Sequence, residues 1–201
     1  MLNIQKHGVF KPLGKQKTKS QIILSHTSRE VGEYLVSLKF RYNGHFSRLP
    51  NFVVTRKGEV IQLIPETSYS KFFSDDKLNQ NSVIICLENL GWLEKKPLSN
   101  YYINWIGSIY KEQVYEKKWR DFFFWQPYTE IQMESTAELC NELAENLQIR
   151  KRSIGHNTKI EGITNWEGVI SRSNIDTRYT DLNPSFKFET LTKYFENEQY
   201  A

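Results

Sequence analysis

The run Ser82-Val83-Ile84-Ile85-Cys86-Leu87 constrains the fold of this chain more than any other feature. After Ser82 every side chain is apolar, and the β-branched residues among them favour an extended, pleated backbone. A strand with one wet face alternates polar and apolar residues, and this run does not. Both of its faces are therefore expected to be covered, which places it at the centre of a sheet with helices on either side.

The flanking segments supply the rest of that architecture. Gln21 to Leu24 reads as a short buried strand, and Asn51 to Thr55 as another. Lys57-Gly58 forms a hairpin turn, and Val60 to Ile64 is the returning strand. Val31, Tyr34, Leu35 and Leu38 recur at helical spacing, as do Leu139, Leu143 and Leu147 with Cys140 and Ala144. Thr27 with Glu30 and Thr129 with Gln132 have the spacing of capping boxes at helix starts. Asn183-Pro184 reads as the cap and first residue of a last helix, whose buried face is Phe188, Leu191, Tyr194 and Phe195. Tyr101 to Tyr110 suggests a β-hairpin, and Arg152 to Ile154 a short strand leading to His156. Strands alternating with helices predict a single α/β domain, a mixed sheet flanked by helices. Its expected extent is residues 21–201, with an aromatic-rich insertion at about 92–126 that holds Trp105, Trp119 and Trp125. Residues 1–20, crowded with Lys6, Lys11, Lys15, Lys17 and Lys19, are expected to form a basic tail.

Composition narrows the function classes. The 201 residues carry 39% hydrophobic and 25% charged side chains, the balance of a globular protein with a real core. The net charge of +4 suits an anionic polymer as partner. No basic region interleaved with aromatics points to nucleic acid, which is not expected as a partner. Cys86 and Cys140 form neither a disulfide framework nor a paired zinc knuckle. The first residues lack the apolar core of a signal peptide, and no segment is long enough for membrane insertion. A monomer made in the cytoplasm is expected; to meet a cell wall it would need a lysis system or carriage in a virion.

Three residues stand where ordered elements end. His26 closes Ile22-Ile23-Leu24-Ser25-His26-Thr27, His156 lies in Ile154-Gly155-His156-Asn157, and Asp181 lies in Arg178-Tyr179-Thr180-Asp181-Leu182-Asn183-Pro184. Two imidazoles and a carboxylate can form the shell of a catalytic zinc ion, with a fourth position left for water. Taken singly, each has a blander reading: a histidine at a strand end is more often hydrogen-bonded core, and an aspartate ahead of Asn-Pro is often a turn residue. His7 and His45 have no such context.

These segments resemble, in order, those of the zinc-dependent N-acetylmuramoyl-L-alanine amidases, a family that includes phage lysozymes of the amidase type and peptidoglycan-recognition proteins. Residues 22–27 look like the family's first strand and first zinc histidine. Residues 51–62 resemble its second hairpin, and 81–88 its central strand. Ile154-Gly155-His156-Asn157 is similar to the glycine-histidine pair of the second ligand, and residues 178–186 to the terminal motif bearing the third. The resemblance implies zinc held by His26, His156 and Asp181, and hydrolysis of the amide between N-acetylmuramic acid and L-alanine in peptidoglycan, as in a phage lysis enzyme. Zinc would lower the pKa of bound water and polarise the carbonyl. Tyr179 stands near the family's lysine and is expected to donate to the tetrahedral oxygen, or else to pack beside the last helix. Glu88 is expected to activate water or orient a ligand, or else to be a surface group. Asn51 and Asn157 are expected to contact substrate, and Cys86 to be inert core. Pro50, Cys86 and Tyr179 depart from common family residues. They leave a second reading open, a muropeptide-binding module of the same fold without hydrolysis.

Overall fold

The computed structural model describes residues 2–44 and 47–196; His45 lies outside them. The chain begins with strands β1 (Ile4–Lys6), β2 (Gly14–Lys15) and β3 (Gln21–His26), then helix α1 (Val31–Phe40). Next come β4 (Phe52–Val54), β5 (Val60–Gln62), β6 (Ser68–Tyr69), α2 (Asp76–Asn81) and β7 (Ser82–Leu87). A run of short strands follows: β8 (Trp92–Lys95), β9 (Tyr102–Ile103), β10 (Ile109–Tyr110), β11 (Tyr115–Trp119) and β12 (Phe122–Trp125). The last elements are α3 (Glu130–Asn146), β13 (Gly168–Ser171) and α4 (Glu189–Glu196).

The central sheet has the order β1-β5-β4-β7-β3-β13. β7 lies inside it, parallel to both β3 and β4, and every residue of β7 is buried. This is the α/β architecture expected, a mixed sheet flanked by helices. Pleating divides the core in two. Ile22, Leu24, Val83, Ile85 and Leu87 pack with Met133, Ala137, Cys140 and Leu191 on the side of α3 and α4. Ile23, Val53, Ile84 and Cys86 pack on the other side with Tyr34 and Leu38 of α1. Cys86 is 1% exposed, takes a hydrogen bond from the Tyr34 hydroxyl at 3.8 Å, and has its thiol pKa pushed up to about 12 by burial. It is inert core.

Strands β3, β4, β7 and β13 run parallel, so their C-terminal ends share one edge. That edge carries His26, Thr55, Glu88 and Arg172. In open α/β sheets this is the edge at which ligands bind.

Four expectations change here. Residues 1–20 are not a tail over their described length: β1 pairs with β5, β2 with β6, and Lys19 is buried. The Lys19 ammonium donates to Ser68 O at 3.2 Å and Gln80 O at 2.7 Å, and burial lowers its pKa to about 8. Helix α1 has no capping box, since the Thr27 hydroxyl turns to Arg29 O. Thr129 caps α3 through Gln132 N–H, but the Gln132 side chain reaches Val54 O and Glu88 O instead of the cap. Asn183-Pro184 does not open α4, which begins at Glu189. The Asn183 side chain is buried, donating to Gln126 O and accepting from Ser185 N–H. The 92–126 region forms a second, antiparallel sheet, β10-β9-β8-β12-β11, and the predicted hairpin is its β9–β10 pair.

Candidate functional site

His26 ends β3 beside a cleft of about 590 Å³. Its Nδ1 lies 3.2 Å from Asn89 O and 3.4 Å from the Ser28 hydroxyl. Burial is the largest influence on the ring and lowers its pKa; Asp181 and the Asn89 carbonyl pull the other way. Gly91 makes the tight seat possible. Its φ is +79°, and a Cβ there would stand 2.6 Å from His26 Cε1, closer than carbon atoms approach. Only glycine satisfies both conditions.

Asp181 is 2% exposed. Its Oδ2 accepts a hydrogen bond from the Ser25 hydroxyl at 2.5 Å, which ties it to the residue before His26. The Asp181 backbone carbonyl accepts from Ser173 N–H at 2.7 Å, so the 173–181 loop folds back onto the end of β13. The sheet thus brings His26 and Asp181 to the same edge.

It also brings a residue there that the sequence reading missed. β13 pairs with β3 in parallel, Ser171 opposite Leu24, so Arg172 comes level with Ser25. Its guanidinium lies 3.7 Å from Asp181 Oδ2 and 3.8 Å from the centroid of the Tyr179 ring. Burial opposes the Arg172 charge, but Asp181 and Tyr179 outweigh it and hold the proton more firmly than usual. Its Nε is buried with no hydrogen-bond partner among the described residues. The signal for Arg172 was faint: Val169 and Ile170 alone mark the strand before it.

His156 does not join them. It is exposed in the loop after Ile154, where its Nδ1 accepts from Thr158 N–H at 3.2 Å and its carbonyl from the Asn174 amide. Among the described residues no three His, Cys, Asp or Glu side chains lie close enough to hold a metal ion. The residues present do not fit the expected zinc centre: the His156 imidazole does not group with His26 and Asp181, and a guanidinium faces the carboxylate.

The remaining candidates divide. Tyr179 packs its ring on Arg172. Glu88 is not free to activate water. It is 8% exposed, and its two oxygens accept from Val31 N–H and Arg56 N–H, both at 2.8 Å, capping α1 and fixing the turn after β4. Asn51 is not presented to substrate. It is 1% exposed and joins three segments by donating to Pro65 O and Ser68 O and accepting from Ile84 N–H. Asn157 is half-buried, and its amide donates to Leu182 O, holding its loop against the residue after Asp181. His7 stacks on Phe10, away from this edge.

Arg29, Arg41, Arg48 and Arg172 line the cleft with His26 and Tyr34, and no acidic side chain among the described residues joins them. Trp105 forms part of its rim. The neighbouring Asn104 amide donates to Ser28 O and Leu90 O, fastening the β9–β10 hairpin beside His26. The cleft is a basic, aromatic-edged depression suited to an extended anionic ligand.

A model of the N-acetylmuramoyl-L-alanine amidase family matches residues 15–169, and the chain belongs to that family. The fold agrees. N-acetylmuramoyl-L-alanine amidase LysC from Clostridium intestinale superposes with a TM-score of 0.58 at 12% identity, over 96% of this chain and 97% of its own. The Staphylococcus aureus hydrolase AmiA, solved in complex with its ligand, gives 0.59 at 10% identity, over 98% and 83%. The Escherichia coli amidase AmiD gives 0.52 at 15%, over 92% and 60%; that structure holds anhydro-N-acetylmuramic acid-L-Ala-D-gamma-Glu-L-Lys. No curated protein sequence matches the chain. No helix among the described residues is long and apolar enough to cross a membrane.

Proposed function

We propose that the protein engages peptidoglycan at the junction of N-acetylmuramic acid and L-alanine, holding a muropeptide in the cleft beside His26. Family membership and the fold support the target, and the position of the cleft at the C-terminal edge of the parallel strands supports the place. The observation that carries the reading is the basic lining, four arginines with no acidic side chain, which suits a peptide rich in carboxylates. In this reading ligand binding needs no zinc, which is supported by the lack, among the described residues, of three His, Cys, Asp or Glu side chains grouped to hold a metal ion.

Zinc-dependent hydrolysis is the second reading. The low pKa of His26 favours it, since an imidazole must be neutral to bind metal. It requires the loop bearing His156 to reach the end of β3. Calorimetry with a muramoyl tripeptide and digestion of isolated sacculi separate the two. Saturable binding is expected, with no chelator-sensitive release of L-alanine amino termini. Absence of binding to either muropeptide or sacculi would refute the target itself.

A further inference from the structure

We propose that Arg172 takes the place of a metal cation at this centre, and that the site works without zinc. β13 is the parallel neighbour of β3 and delivers one residue to the end of the sheet beside His26. That residue is an arginine, which supplies a fixed positive charge and has no lone pair for a metal. Its guanidinium faces Asp181 Oδ2 at 3.7 Å, and the Ser25 hydroxyl donates to the same oxygen at 2.5 Å. The carboxylate is thus already satisfied by a hydroxyl and a cation.

Stacking fixes Arg172 in that position. Tyr179 lies against it at 3.8 Å and Phe72 at 5.5 Å from their ring centroids, so the guanidinium has aromatic faces to rest on. A divalent ion at Asp181 would sit within a few ångströms of this charge, in a cleft that Arg29, Arg41 and Arg48 also line. The like charges would repel, and among the described residues no third His, Cys, Asp or Glu side chain groups with His26 and Asp181 to compensate. The same centre that could not load a dication keeps its positive charge permanently, since arginine does not lose its proton in proteins.

The inference rests on reading the cleft as the family's muropeptide site only for its second readout. The first is metal uptake. Full-length protein is equilibrated with zinc and its metal content measured, and a parallel cobalt(II) titration is followed by visible absorption. The wild type is expected to take up far less than one equivalent and to show no tetrahedral cobalt bands. R172H removes the guanidinium and adds an imidazole beside His26 and Asp181, so it is expected to gain close to one equivalent. A wild type that binds one zinc, lost in H26A, would overturn the proposal, as would a folded R172H that stays metal-free. Should R172H not fold, the wild-type measurement decides alone. The second readout is muropeptide affinity, expected to be unchanged by EDTA. Failure to bind muropeptide in a zinc-free protein would sink the proposed target and leave the assignment of Arg172 standing; chelator-sensitive affinity would do the reverse.

Discussion

The end of β3 and the loop after Ile154 look alike in sequence: each presents a histidine after an apolar stretch. They differ in what surrounds that histidine. His26 follows a strand paired on both sides, its ring seated against Gly91 and its Nδ1 beside a backbone carbonyl. His156 follows one isolated bridge, Ser153 to Val169, and its ring meets solvent and the amide of Thr158. A side chain is positioned by the element behind it, and only the first histidine has one.

The largest effect expected from testing this contrast is at Asp181. D181A leaves the Arg172 charge largely buried and unpaired and takes the acceptor from Ser25, which should destabilise the fold by about 3 kcal/mol in urea titration. A change under about 0.5 kcal/mol would show that the pair is solvated and the sheet end less ordered than described. E88A comes next. It strips the acceptor from two backbone donors, Val31 N–H and Arg56 N–H, and should cost about 2 kcal/mol. A muropeptide cleavage defect without loss of stability would instead return Glu88 to catalysis.

A smaller effect should appear with pH. The folded pKa of His26 lies below the ordinary 6.5, so the unfolded chain takes up this proton first as the medium is acidified. The contribution is fully present above 6.5 and is lost as pH falls from there through the folded pKa. Denaturation midpoints should therefore drop in that window for the wild type, and less so for H26Q. The smallest effect belongs to the loop. H156A should change stability by less than about 0.5 kcal/mol, as surface substitutions do, and leave muropeptide affinity as it was. A large loss of affinity in H156A would erase the contrast and bring that loop into the site.

Much of the framework was readable from the sequence because its signals are local. An unbroken apolar run gave β7, the i, i+4 spacing gave α1 and α3, and Lys57-Gly58 gave the turn between β4 and β5. The site was less readable because its contacts are remote. Arg172 matters through pairing with residues far back in the chain, and a four-residue strand with only Val169 and Ile170 to mark it leaves almost no period to detect. Asn51 and Glu88 looked like ligand-facing polar groups; each is consumed by backbone partners remote in sequence. Asn183-Pro184 had the form of a helix start, but the Asn183 side chain is used by Gln126 and Ser185 before any helix begins. The lysines near the start suggested a solvated arm, yet Ile4 to Lys6 carry enough pattern only for a three-residue strand, too short to stand out.

That short strand has a practical consequence. Ile4 to Lys6 shield the outer rim of β5, pairing in parallel with Val60 to Gln62, and β5 has no other strand on that side among the described residues. Trimming the chain ahead of His7, or fusing a bulky tag against it, would bare a row of unsatisfied amides and carbonyls to other molecules. Shortened versions of this protein should therefore self-associate even where the distant cleft is undisturbed.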